Sequence, residues 1–124
     1  MINRLFTYSE NRSVSGLASM ELIDKWMGYP HRSFSSIHVA GTNGKGSVSL
    51  KIASALMAAG LRVGLYTSPH IETYRERILI NGEQVREEFV ERFLGSLFSF
   101  IDHNTLQPSF FTLLTALAFA YFKE

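Results

Sequence analysis

Apolar residues along the chain follow a helical spacing in some segments and form short compact runs in others. After Ser19, apolar side chains recur at i, i+3 and i+7 and stop at Gly28, which predicts a short helix with Ser19 as its cap. A second helical repeat begins behind Ser47 and ends before Gly60. Residues 36–40 and 62–66 flank this repeat and predict strands. A strand, a helix and a strand in so few residues predict a right-handed parallel βαβ unit.

The sequence pattern of the carboxyl-terminal half predicts a hairpin and two helices. Asn81-Gly82 separates two short apolar runs and is a strong hairpin signal. Residues 87–103 are amphipathic, with one apolar face made by Phe89, Val90, Phe93, Leu97, Phe98 and Ile101. Residues 109–123 form a last predicted helix that is apolar almost all round, so it must be buried on every side.

The composition excludes several functional classes. The chain has 124 residues, with 12 Lys+Arg against 11 Asp+Glu, and a net charge of +1 lacks the electrostatic footprint of a non-specific nucleic-acid binder. It contains no cysteine, which excludes disulfides, thiolate zinc sites and cysteine nucleophiles. The longest apolar stretch, residues 113–122, is about half a bilayer span, so we predict a buried helix and no membrane partner. With no signal-peptide pattern at the start, the expected location is cytoplasmic.

A glycine-rich loop lies between the first predicted strand and the helix that follows it. Its sequence is Gly41, Thr42, Asn43, Gly44, Lys45, Gly46 and Ser47. Glycines let backbone N–H groups approach phosphate oxygens, and the start of the helix adds a partial positive charge. Lys45 can reach the β- and γ-phosphates, and the Ser47 hydroxyl can approach a magnesium ion. The structural alternative is a tight turn without a ligand.

This loop departs twice from the generic pattern G-x-x-x-x-G-K-[ST]. Gly46 stands where serine or threonine is expected, and Val39 stands at the position of the first glycine. Both departures argue against an ordinary P-loop kinase or switch NTPase.

The loop instead resembles the nucleotide loop of the Mur ligase superfamily, and its surroundings resemble one branch, the folylpolyglutamate and dihydrofolate synthases. The run Thr67-Ser68-Pro69-His70 matches the Ω-loop motif of that family, and Glu76-Arg77-Ile78 follows in its usual place. Residues 108–119 resemble the family's aromatic-led helix. The matches at Gly16-Leu17 and at residues 28–30 are loose.

The resemblance implies an ATP-dependent ligase that forms an amide bond. A carboxylate of folate or dihydropteroate is phosphorylated, and the amine of L-glutamate displaces the phosphate. Residues 41–47 are then the ATP-binding loop, Lys45 is catalytic, and Ser68 with Ser47 holds Mg²⁺. The implied substrate-binding residues are Gly16, Leu17, His70, Arg77, Phe110, Phe111 and Thr112. The expected partners are these small molecules only, and the full-length protein is expected to be a monomer.

Five of the implied metal- and substrate-binding residues have a structural alternative. Ser68 could cap the turn at Pro69, His70 and Arg77 could be solvated, and Phe110 and Phe111 could belong to the core. Thr112 departs from the family, which usually has a glutamate there, and this puts a pterin hydrogen bond at that position in doubt.

The predicted fold class is α/β, a P-loop-type parallel βαβ nucleotide-binding domain that is incomplete. We expect residues 1–35 to form a helical lead-in, residues 36–124 the front part of the ATP-binding domain, and the carboxyl-terminal domain to lie beyond residue 124. The remaining metal and glutamate ligands are expected there too, so the chain alone should not ligate. The open alternatives are a Mur-type ligase for a cell-wall precursor, a P-loop kinase or NTPase, and a non-catalytic binding module.

Overall fold

The computed structural model of the chain describes residues 2–8, 16–40, 44–67 and 77–124. Within these ranges the helices are α1 (Ile2–Leu5), α2 (Gly16–Met27), α3 (Lys45–Ala58), α4 (Glu87–His103) and α5 (Phe110–Lys123), with a 3₁₀ turn at Pro30–Ser33; the strands are β1 (Gly64–Tyr66), β2 (Ile78–Ile80) and β3 (Glu83–Gln84). The elements form two compact units. We call Met1–Phe34 with Arg86–Glu124 the helical unit and Ser35–Val85 the α/β unit.

Helix α5 lies at the centre of the helical unit, as its apolar sequence predicts. It packs against α2, α4 and the 3₁₀ turn. Its fully buried residues are Leu113, Leu114, Ala116, Leu117 and Ala118. The helix begins after Ser109, whose Oγ accepts a hydrogen bond of 3.1 Å from the backbone N–H of Thr112. This side-chain cap satisfies one of the N–H groups that a helix start leaves without an intrahelical acceptor.

Helices α2 and α4 supply the facing apolar surfaces. Helix α4 spans the predicted residues 87–103 and buries the predicted face, with the addition of Leu94 and with Phe93 only half-buried. Helix α2 begins at Gly16, earlier than predicted, so Ser19 lies inside the helix and is 4% exposed rather than capping it. It ends as predicted before Gly28, which has a φ of 80°.

Helix α1 is held against α4 by an ion pair, which the sequence pattern did not predict. Two guanidinium nitrogens of Arg4 each donate to a carboxylate oxygen of Asp102, one of them at 2.9 Å. The same guanidinium lies 4.4 Å from the ring centre of Phe98. Hydrogen bonding to Arg4 lowers the pKa of Asp102 below its ordinary value, because the pairing favours the ionised carboxylate.

The α/β unit contains a three-stranded sheet in the order β1-β2-β3. The predicted hairpin is present, and Asn81 and Gly82 have φ values of 50° and 82°, as a type I′ turn requires. Asn81 also joins the turn to the chain before β1, because its N–H donates to the Val63 carbonyl and its Oδ1 accepts from the Val63 N–H, both at 2.8 Å.

The described sheet differs from the predicted parallel βαβ unit. Both of its strand pairs are antiparallel, and residues 35–40 do not form a strand. A strand requires a hydrogen-bonded neighbour, and the described residues supply none to this segment, where Ile37 is 65% exposed. The predicted apolar repeat of α3 is largely uncovered as well: the one buried residue of the helix is Ala53, which is not part of the repeat, and Val48, which begins it, is 47% exposed.

The compact units also divide the chain differently from the predicted boundary at residue 35. Residues 86–124 group with the amino-terminal helices because α5 packs on α2 and on the 3₁₀ turn. The boundary between residues 34 and 35 lies one residue before the predicted boundary between residues 35 and 36.

Candidate nucleotide and substrate sites

The predicted ATP-binding loop leads directly into α3. Gly44 precedes the helix in the left-handed conformation, with φ 74° and ψ 1°. A residue with a Cβ is disfavoured there, so the loop needs glycine at this position to enter the helix. The first turn closes with a 2.9 Å hydrogen bond from the N–H of Val48 to the carbonyl of Gly44. Gly41, Thr42 and Asn43 lie outside the described residues.

The amino-terminal end of α3 is suited to an anion. By helix geometry the N–H groups of Lys45, Gly46 and Ser47 lack intrahelical acceptors, and the N-cap residue Gly44 has no side chain to accept from them. The first turn contains no acidic residue that would compete for it. Gly46 and Ser47 are exposed and Lys45 is half-buried, so the partial positive charge of the helix end adds to the lysine ammonium at the surface.

A magnesium ion at this end of α3 would have one protein ligand among the described residues, the hydroxyl of Ser47. Ser47 places an exposed hydroxyl two residues after Lys45, whereas Ser68 lies outside the described residues. Within the described part of the chain, no group of three or more His, Asp or Glu side chains could hold a metal ion. Mg²⁺ at nucleotide sites retains waters and is bound through substrate phosphates and one or two protein oxygens, so one hydroxyl is a reasonable protein contribution.

Arg77 is buried and not solvated. It directly precedes β2, it is 9% exposed, and its backbone carbonyl accepts a 3.0 Å hydrogen bond from the N–H of Thr67. A buried guanidinium is costly unless its charge is compensated, which makes a purely solvent-facing role untenable for this residue. His70, seven residues earlier, lies outside the described residues.

The remaining substrate candidates lie at the starts of two helices in the helical unit. Gly16 and Leu17 are the first two residues of α2. Phe110 opens α5 and is 6% exposed, Phe111 is half-buried, and Thr112 is 5% exposed. The Thr112 hydroxyl lies 3.1 Å from that of Ser109. Thr112 is therefore part of the cap of α5, at the position where a capping-box glutamate would stand.

A cavity of about 310 Å³ lies elsewhere on the helical unit. It is lined by Trp26, Met27, Pro30, Phe89, Arg92, Phe93, Ser96, Ala120, Lys123 and Glu124. Trp26 stacks on Phe100 with a centroid distance of 5.0 Å. None of the predicted site residues lines this cavity, so it is separate from the candidate sites.

The aromatic and charged contacts of the amino-terminal segment were not predicted from the sequence pattern. Phe6 stacks on Phe110, and Tyr8 stacks on Phe98. The available signal was the cluster Leu5, Phe6 and Tyr8 within a segment that is otherwise polar.

Among the helices in the described ranges, none has the length and apolar character needed to cross a membrane.

Solved structures identify the class to which this fold corresponds. A folylpolyglutamate synthase from Thermotoga maritima matches 98% of the chain with a TM-score of 0.86 and 36% identity, and the chain covers 29% of it. A structure described as an FPGS–AMPPCP–folate complex matches 98% of the chain with a TM-score of 0.84 and 31% identity, over 31% of that protein. The chain therefore has the α/β fold found in part of these ligases.

Curated relatives agree with the structures. The dihydrofolate synthase/folylpolyglutamate synthase of Bacillus subtilis is 39% identical over 113 residues, which are 88% of this chain and 26% of that protein. The folylpolyglutamate synthase of Lacticaseibacillus casei is 37% identical over 79% of the chain and 24% of its own length. No protein-family model matches. The predicted resemblance is confirmed: the chain is related to the folylpolyglutamate and dihydrofolate synthases, and it spans about a quarter of the length of these two relatives.

Proposed function

We propose that this chain is the ATP-binding portion of a ligase that adds L-glutamate to folate, to dihydropteroate, or to both. The observation that supports this most strongly is the start of α3 behind Gly44, with Lys45 and Ser47, in a chain that matches an FPGS–AMPPCP–folate complex over 98% of its length. The predicted loop residues before Gly44 complete the nucleotide site in this proposal.

The chemistry explains why such a helix start is needed. A substrate carboxylate must approach the γ-phosphate of ATP, and the two anions repel each other. Lys45 and the N–H groups at the start of α3 offset that repulsion and stabilise the charge that develops on the transferred phosphoryl group. Ser47, together with Ser68, would hold Mg²⁺, which supplies further charge neutralisation when bound. The products of this step are an acyl phosphate and ADP, and attack by the glutamate amine then releases phosphate.

The proposal also assigns roles to the other predicted segments and residues of the chain. Residues 36–40 would become the first strand of a parallel βαβ crossover when a neighbouring strand is present to pair with them. Residues 1–35 would serve as a lead-in and residues 36–124 as the front of the ATP-binding domain. His70 would orient the substrate, Arg77 would contact an anionic group, and the aromatic start of α5 would contact the substrate ring. The complete protein would be a cytoplasmic monomer.

In this proposal Arg77 contacts an anionic group of the substrate or the nucleotide, as the resemblance implies. The relatives are named as folate-related synthases, which disfavours the cell-wall ligase and the kinase as alternatives.

An assay of a chimeric enzyme tests the proposal. The chimera replaces the matching part of the Bacillus subtilis synthase with this chain, and phosphate release from Mg²⁺–ATP is measured with folate, dihydropteroate or a muramoyl nucleotide, each with and without L-glutamate. We expect phosphate release that requires both a folate-type substrate and glutamate. The Lys45→Ala chimera is the matched control and should lose this activity.

The other results would contradict the proposal. Phosphate release without glutamate would indicate a kinase or NTPase, and activity confined to the muramoyl nucleotide would indicate a cell-wall ligase. The 124-residue chain by itself should add no glutamate under the same conditions.

A further inference from the structure

Aromatic side chains form the walls of the cavity on the helical unit, and every residue that lines it belongs to that unit. The walls come from Trp26 on α2 and from Phe89 and Phe93 on α4. The two phenylalanine rings are nearly parallel with centroids 6.0 Å apart, and the Trp26 ring is inclined by 47° to Phe93 at 6.1 Å. Ala120 of α5 also lines the cavity, with a side chain too small to fill it. Such walls favour a flat apolar ring as the occupant.

The size of the cavity suits a small ligand. Its volume of about 310 Å³ is at the lower end of the roughly 300–1,000 Å³ that is typical of ligand sites. Trp26 is 37% exposed although its ring stacks on Phe100. A ligand with a single ring can therefore reach the indole from solvent.

Charged side chains of both signs line the cavity beside the aromatic walls. Arg92 of α4 and Lys123 of α5 are positive, and Glu124 is negative. Nη2 of Arg92 lies 3.5 Å from Oε1 of Glu124, and the two side chains are 68% and 46% exposed. An ion pair this long and this exposed contributes little to stability, so a ligand can open it at small cost.

Two helices end at the cavity and add to its negative side. Met27 is the last residue of α2 and Lys123 is the last residue of α5, and both line the cavity. The carboxyl end of a helix carries a partial negative charge. Together with Glu124 these ends favour an ammonium group, whereas the side chains of Arg92 and Lys123 favour a carboxylate. A ligand of one sign is repelled by one of the two sets, and a zwitterion matches both.

We propose that this cavity binds a free aromatic α-amino acid. The ring of the ligand packs against Trp26 and Phe93, its carboxylate pairs with Arg92 and Lys123, and its ammonium group pairs with Glu124. The bound amino acid thereby replaces one long ion pair with a partner for each of its own charges. The nucleotide loop belongs to the α/β unit, so this site is additional to the proposed ligase reaction.

Titration of the ¹⁵N-labelled chain with L-phenylalanine tests the site. The sequence contains one tryptophan, so the indole N–H of Trp26 gives a single cross-peak that reports on the cavity, and we expect it to shift with saturation. L-Phenylalaninamide lacks the carboxylate and N-acetyl-L-phenylalanine lacks the ammonium group. Each should bind about threefold to tenfold more weakly, the range from an exposed ion pair to a hydrogen bond with a charged group. L-Alanine and L-glutamate lack the ring and should leave the peak in place, which distinguishes this site from one for the glutamate of the proposed reaction.

Variants of the cavity separate its charge from its walls. Arg92→Gln should weaken L-phenylalanine binding by about threefold to tenfold and leave L-phenylalaninamide binding unchanged, because the amide has no carboxylate to pair. Arg32→Gln is the matched control: Arg32 is exposed and lies 4.1 Å from the ring centre of Tyr29, much as Arg92 lies 5.4 Å from that of Phe89, but it does not line the cavity. It should bind normally. Ala120→Leu fills the cavity and should abolish the shift.

Three results would overturn the proposal. They are an unshifted Trp26 cross-peak in the original chain, equal binding of L-phenylalanine and L-alanine, and equal affinity of Arg92→Gln and Arg32→Gln for L-phenylalanine. The circular dichroism spectrum of each variant distinguishes loss of the site from loss of the fold. If Ala120→Leu does not fold, the two exposed arginine variants decide the result.

Discussion

Replacing Lys45 with alanine should weaken the binding of Mg²⁺–ATP to this chain by about tenfold to a hundredfold, the range expected for losing one hydrogen bond to a charged group. The lysine supplies the full positive charge at a helix end whose other contributions are backbone N–H groups. Those groups remain in the variant, so residual weak binding is expected. Isothermal titration calorimetry at fixed ionic strength measures the effect, because exposed charge interactions are screened by salt.

Two further variants on α3 separate a specific contact from general charge. Lys51→Ala removes an exposed lysine from the same helix, beyond the first turn, and should leave affinity nearly unchanged. Lys45→Arg keeps the charge and should recover part of the binding. Equal affinity of Lys45→Ala and the original chain would remove Lys45 from the nucleotide site, as would equal weakening by the two alanine variants.

Truncating Phe98 to alanine should cost about 3–5 kcal/mol of unfolding free energy, the range for deleting a buried aromatic ring. Phe98 is 1% exposed and fully within the core of the helical unit. Its ring also lies under the Arg4 guanidinium and beside the ring of Tyr8, so its loss removes the surface on which the amino-terminal segment packs. Urea unfolding followed by far-UV circular dichroism measures the change.

The exposed Leu22 provides the comparison for this stability effect. Leu22→Ala should change the unfolding free energy by less than about 0.5 kcal/mol, as is usual for surface substitutions. A Phe98→Ala variant that unfolds at the same urea concentration as Leu22→Ala would contradict the described packing of α1 and α4.

The parts of the fold that were predicted correctly have local signals. Asn81-Gly82 specifies its turn through backbone conformation, and the apolar stripes of α4 and α5 identify the buried faces without knowledge of their partners. Strand pairing is non-local, however, and the sequence pattern could not show that β1 would pair with β2 in antiparallel fashion. The apolar segment 36–40 is compatible with a strand, but its state depends on a neighbour that is absent from the described residues.

The candidate site shows the same division between local and distant information. The glycine loop and Lys45 are adjacent in sequence, so a motif could identify them. The contact between Phe6 and Phe110 joins residues more than a hundred positions apart, and Arg4 is separated from Asp102 by a similar distance. The sequence pattern did not predict the burial of Arg77 either, because the charged run around it is typical of a solvated segment.

The most direct test of the nucleotide site is a ¹⁵N–¹H correlation spectrum of the labelled chain titrated with Mg²⁺–ATP. The largest amide shift changes should fall on residues 41–48, because the ligand is expected to bind the loop and the first turn of α3. Changes concentrated around the cavity lined by Trp26 and Phe93, with residues 41–48 unaffected, would contradict the account.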